Sequence, residues 1–235
     1  MKRRILASLM ALVLVFGLLP ATAFADGGTA VYVSSTGNDT AGDGSKSAPY
    51  ATLAKAVEKA PDGATIYVMS DLTMTACARF YSKSLTITSD ENGPHTVTRG
   101  DDFDTQHDLA RSWYNPAMIE VQTNGEEPAG LTLTNIIFDD AGKKKGTVFA
   151  QAVSDDGTGT SGTSQNTAYV QDAIIASNAT VPTTITLGEG AVLRNFGGES
   201  AVRVTNRAQL VMKSGSVIED DPAIITTRGS DADNK

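Results

Sequence analysis

An all-β solenoid is the fold class this sequence predicts, on three observations. Apolar runs last only three to five residues and are punctuated along the whole chain by Gly, Thr, Ser, Asn and Asp. One short stretch near the start has helical spacing, and related segments return at intervals of about 20 to 25 residues. Short strands set off by turn residues mean an all-β architecture, since the turns supply backbone states that strands avoid. A return interval of this size fits a three-sided coil, each side one short strand and each corner a turn. A β-sandwich, also built of short alternating strands, is the alternative fold; its strands need no fixed interval, and it has no use for the early helix.

The chain opens with the three parts of a secretory signal. Lys2, Arg3 and Arg4 form a charged start, Ile5 to Leu19 an apolar run of 15 residues, and Ala23-Phe24-Ala25 a small-x-small cleavage pattern. A membrane-crossing helix needs roughly 20 apolar residues, so the run is too short for a span. Residues 1–25 therefore read as a signal peptide and the mature fold starts at Asp26. No later segment is apolar for long enough to cross a bilayer. The expected location is outside the cell, secreted or at the cell surface, with no membrane span after signal cleavage.

Lys2, Arg3 and Arg4 leave with the signal, so the formal charge of −8 falls by three to −11. That balance excludes a nucleic-acid partner, which needs clustered Lys and Arg to displace counterions. The only basic run, Lys143-Lys144-Lys145, sits between Gly142 and Gly146 in a turn. The single cysteine, Cys77, cannot close a bridge within one chain and reads as a small buried apolar residue. Stability outside the cell must then come from packing and backbone hydrogen bonds.

The helix lies over Pro49–Ala60, where Leu53, Ala56, Val57 and Ala60 share one face, Thr52 is placed to cap the start, and Pro61-Asp62-Gly63 ends it. Val31-Tyr32-Val33 before it and Ala64-Thr65-Ile66-Tyr67-Val68 after it read as strands, with turn-rich residues 34–47 between the first strand and the helix. Further along, Leu131–Asp140 lays over Ile185–Asn195 and over Leu210–Asp220, with Leu131, Ile185 and Leu210 aligned and Leu187 returning as Met212. Ala201-Val202-Arg203-Val204 returns as Ala223-Ile224-Ile225-Thr226, an interval of 22 residues. Arg99–Pro116 and Gly142–Asn166 break the period and read as loops thrown out from corners.

The run Val31–Asp39, Gly42-Asp43-Gly44-Ser45, Pro49–Leu53, Ala56-Val57 and Asp62–Val68 resembles the opening segment of the pectin-lyase-like superfamily, over about 40 residues. The resemblance implies a right-handed parallel β-helix with a short N-terminal capping α-helix. Residues 26–63 would be the opening strand and cap, and residues 64–235 the rungs, incomplete at the C-terminus because the last residues are too few and too polar to close a solenoid. It also suggests that Asn135 and Asn195 stack as an amide ladder; tolerance of a left-handed turn explains the same asparagines.

The same resemblance brings in polysaccharide lyases, in which carboxylates hold calcium against a uronic acid and Arg or Lys removes a proton. Asp101, Asp102 and Asp104, with His107, Asp108, Arg99 and Arg111 nearby, are dense enough to bind a hard cation such as calcium, and equally read as a solvated acidic loop. Trp113 and Tyr114 can stack on a sugar ring or pack a loop onto the coil. The Asp39–Gly44 stretch lacks the acidic positions of a calcium loop, and neither His95, in a turn after Pro94, nor His107 has a nucleophile signature beside it. Asp139 and Asp140, adjacent on a strand, point to opposite faces and cannot act as one carboxyl pair. The favoured function is a secreted or cell-surface, non-catalytic scaffold for adhesion or glycan contact, its short rungs resembling those of large bacterial surface proteins. The alternative is a polysaccharide lyase or glycoside hydrolase whose active face is incomplete in this chain.

Overall fold

The computed structural model describes residues 29–103, 117–125, 127–140, 149–150, 166–167, 172–196, 201–219 and 225–228. The signal segment 1–25, Lys143-Lys144-Lys145 and the residues after Arg228 lie outside the described residues.

In chain order the elements are β1 (Ala30–Val33), α1 (Leu53–Lys59), β2 (Thr65–Val68), β3 (Leu72–Met74), β4 (Ala78–Tyr81), β5 (Ser84–Ser89), β6 (His95–Arg99), β7 (Ile119–Gln122), β8 (Ala129–Thr134) and β9 (Ile136–Asp139). They continue with β10 (Phe149–Ala150), β11 (Asn166–Thr167), β12 (Ile174–Leu187), β13 (Ala191–Arg194), β14 (Val202–Met212), β15 (Val217–Glu219) and β16 (Ile225–Arg228). The chain is thus mostly strand with one helix. Among these strands the pairings are parallel, except for the two-residue antiparallel pair β10–β11.

Pairing recurs in three ladders. The first joins β4, β7, the opening of β12, the opening of β14 and β16. The second joins β1, β2, β5, β8 and the closing parts of β12 and β14. The third joins β3, β6, β9, β13 and β15. From β2 to β9 the chain visits second, third and first ladder in strict rotation, so each strand from β2 to β6 pairs with the strand three elements on. Register shifts between Ala176 and Thr183 turn β12 from the first ladder into the second.

Alternation within the strands places one row of each ladder in the core. In the second ladder Val31, Ile66, Ile87, Leu133, Leu187 and Met212 stand opposite one another. Leu187 is 0% exposed but Met212 is 44% exposed, because among the described residues no strand pairs with the far side of Met212. In the third, Leu72, Val97, Phe138, Leu193 and Ile218 form the equivalent row. The alignment of Leu131 with Ile185 and Leu210, and of Leu187 with Met212, is the register the ladder has.

The helix forms as its sequence dictates. Thr52 Oγ1 accepts from Lys55 N at 3.1 Å and donates to Asp39 Oδ2 at 2.7 Å, while Asp39 Oδ1 accepts from Ala51 N and Thr52 N. Leu53, Ala56 and Val57 are buried in the same core as the strands, and the helix packs against β4, β1 and β3. At its C-terminal end Lys83 Nζ donates to the carbonyls of Val57 and Ala60, both at 2.7 Å, answering orphan acceptors where the helix dipole is negative.

Several details differ from the expectations. Val202 pairs with Ile225, so the interval there is 23 residues, not 22. Ala-Val-Arg-Val and Ala-Ile-Ile-Thr do not both alternate cleanly, and without alternation a one-residue slip is invisible in sequence. Asn135 and Asn195 do not stack: Asn135 lies between β8 and β9, whereas Asn195 follows β13, at the place Asp140 holds after β9. Both have left-handed backbones, φ 44° and 63°, which accounts for the asparagines. The residues that do share the corner of Asn135 are Gly190 and Gly215, also left-handed, with Gly190 N donating to Gly215 O at 3.0 Å. Arg99 and His95 are the last and first residues of β6, not parts of a loop and a turn. Phe149–Ala150 and Asn166, placed in a loop by their composition, carry the β10–β11 pair.

Candidate functional site

The outer row of the first ladder carries Arg79, Glu120, Ile175 and Arg203 in register. Arg79 Nε lies 2.5 Å from Glu120 Oε2, and the other oxygen of Glu120 accepts from the Gln122 amide. Glu120, Gln122, Ile175 and Arg203 are all buried although they point away from the core row. Burial works against the charge on Arg79, but Glu120 outweighs it and raises the guanidinium above its ordinary value.

A second set of charges gathers where β6 and β9 end and β12 begins. Arg99 Nε donates to Asp140 Oδ1 at 2.6 Å, and Arg203 Nε lies 3.1 Å from Asp172 Oδ2. Asp140 and Asp172 are both 0% exposed. Burial lowers the Arg99 guanidinium by more than Asp140 and Asp172 raise it, yet an arginine stays charged at any physiological pH. Phe103 covers it, with the Arg99 guanidinium carbon 5.8 Å from the ring centre. On the neighbouring strand Asp139 accepts from Arg194 Nε at 2.7 Å and from Asn195 Nδ2 at 2.8 Å. Asp139 and Asp140 therefore do face different ways, each with its own arginine.

Chemically these arrangements tie strand to strand. Each of these carboxylates meets a guanidinium from another strand. The buried acid beside His95 is held ionised. Asp90 Oδ1 lies 2.9 Å from His95 Nε2, and Asn92 donates to Asp90 through its backbone and side chain. Burial pushes the Asp90 carboxyl up, and the hydrogen bonds from His95 and Asn92 outweigh it and hold the group below its ordinary value.

A shallow cleft of about 580 Å³ opens between the helix and the corner before β4, lined by Asp39, Thr40, Lys55, Glu58, Cys77 and Arg79 among others. Asp39 is committed to the helix N-terminus and Arg79 to Glu120. Glu58 bonds Lys55 and Lys59, each at 3.0 Å. Burial, aided by Glu120, pushes the Cys77 thiol up to about 12, so it is neutral at ordinary pH and a poor nucleophile.

Of the residues singled out by sequence, Asp101 and Asp102 lie in an exposed turn after β6, while Asp104, Trp113 and Tyr114 lie outside the described residues. Asp39 and Asp43, in the calcium-loop-like stretch, bond backbone amides, Asp43 Oδ1 accepting from Ser45 N at 2.9 Å. Among the described residues no three His, Cys, Asp or Glu side chains gather as a metal-holding group. Sequence reasoning passed over the arginine–carboxylate pairs. Their one signal is spacing: Arg79 and Glu120 are 41 residues apart, and so are Arg99 and Asp140.

No family model matches this chain, and no match is found among curated proteins or among solved structures.

Proposed function

We infer that the three ladders close into a right-handed parallel β-helix like that of the pectin-lyase-like proteins, and that the chain is a secreted or cell-surface scaffold for adhesion or glycan contact rather than a catalyst. Two features support the coil: the strict rotation of the chain through three parallel ladders, and a buried row in each ladder that meets the others in one core. Helix α1, packed on β1, β3 and β4, covers the end at which the rotation begins, as a solenoid's terminal rung requires.

The observation that carries the functional reading is that charged side chains answer one another between successive strands, on the outer row in Arg79–Glu120 and on the inward side, at the ends of β6 and β9, in Arg99–Asp140. Charges placed this way bind rungs together and leave long flat faces for contact. A second reading, a polysaccharide lyase or glycoside hydrolase with an incomplete active face, draws on the same row, since guanidinium and carboxylate on a rigid strand are groups a lyase uses. Incubation with pectins, with and without calcium, separates the two. No rise in unsaturated-uronate absorbance, together with retention on cells or glycans, is the expected result; a calcium-dependent rise overturns the scaffold reading.

A further inference from the structure

The outer row of the second ladder differs from the other two in chemistry. Thr86, Thr132 and Thr186 stand opposite one another. Beside them Tyr32, Tyr67, Thr88 and Thr134 form an adjacent row in register. None of the outward residues of β2, β5, β8 and the closing part of β12 is charged. The first ladder by contrast bears Arg79, Glu120 and Arg203, and the third Asp139, Arg194 and Glu219. Register is unbroken from β2 through β5 and β8 into β12, so this surface is a regular lattice. Its hydroxyls repeat at about 4.8 Å from strand to strand and at roughly 6.6 Å along each strand.

Such a lattice suits some partners and not others. Each hydroxyl both donates and accepts, which matches the hydroxyls of sugars. The formal charge of −8 and the absence of cations among the outward residues of β2, β5, β8 and the closing part of β12 disfavour acidic glycans and nucleic acid. A protein interface would need a desolvated anchor, whereas the two tyrosines of this face stack on each other and the residues between β5 and β12 are threonines. Tyr32 and Tyr67 stack on each other with ring centres 5.2 Å apart, so their facing ring surfaces are taken up and they add hydroxyls and ring edges.

We propose that the outer face of the second ladder is the contact site for a neutral polysaccharide, hydrogen-bonded along the rows of threonine and tyrosine hydroxyls. This rests on the glycan-contact reading above and names the face and the class of glycan. The test is co-sedimentation of the full chain with cellulose, chitin, mannan and a β-glucan, and with polygalacturonate immobilised on beads. The expected result is retention by at least one neutral glycan and not by polygalacturonate. Thr132→Arg, and a double Thr86→Val and Thr132→Val variant that keeps shape, should each lower binding roughly tenfold. Their far-ultraviolet circular dichroism and melting temperature should match the parent. Glu219→Lys, on the third ladder, should bind as the parent does. Full binding by both face variants, or retention by polygalacturonate alone, overturns this assignment and leaves the glycan-contact reading standing. Retention by no glycan overturns both.

Discussion

The first and second ladders share strands β12 and β14 and one core, yet their outer rows obey different physics. In the first, Glu120 and Arg203 are buried although they point away from the core, and charge is paired with charge. In the second, Thr86, Thr132 and Thr186 are partly exposed and uncharged. A buried ion pair is costly to break, because the survivor is left uncompensated in low dielectric. A half-exposed hydroxyl exchanges one partner for water at little cost. One backbone plan thus carries a face that fixes the structure and another free to meet a ligand.

The largest expected effect is that of Asp140→Ala on the inward side of the third ladder, which asks whether buried charge pairs fix this structure. It removes the carboxylate bonded to the buried Arg99 and should cost about 3–5 kcal/mol in chemical denaturation; a loss below about 1 kcal/mol would mean the pair is not structural. Glu120→Gln, at the less enclosed end, removes the charge opposing Arg79 and should cost about 1–3 kcal/mol by the same measurement.

Acid comes next. The Asp90 carboxyl is held low in the folded state, so its stabilisation is complete above the unfolded carboxyl value of about 3.9 and is lost as pH falls through the folded one. Melting temperature should therefore drop on acidification below about pH 4. In Asp90→Asn that drop should be shallower, and an unchanged acid profile would show that the His95 and Asn92 bonds do not set it. The smallest effect sharpens the contrast from the other side: Thr132→Val should change stability by less than about 0.5 kcal/mol. A large loss would make the hydroxyl face structural too.

Much of the fold was legible in the residues because the responsible physics is local. Thr52, Leu53, Ala56 and Val57 announce a capped amphipathic helix, and they form one. Leu131, Ile185 and Leu210 align in sequence and in the ladder, because alternation flanked by turn residues pins each strand's register. Where alternation is weak the reading slips, as it did by one residue at Val202 and Ile225. The asparagine corners were half legible: Asn135 and Asn195 reveal a left-handed backbone, but not that they occupy different corners.

The sequence by itself determined the cleanly alternating strands, such as those opening at Leu131 and Ile185, where the helix begins, and which of their side chains enter the core, since periodicity and capping act over a few residues. Only the tertiary structure decided that Arg99 meets Asp140 and that three threonines from β5, β8 and β12 line up on one face. Those meetings depend on how many residues each intervening loop consumes before the chain returns, and no short-range rule sets that length.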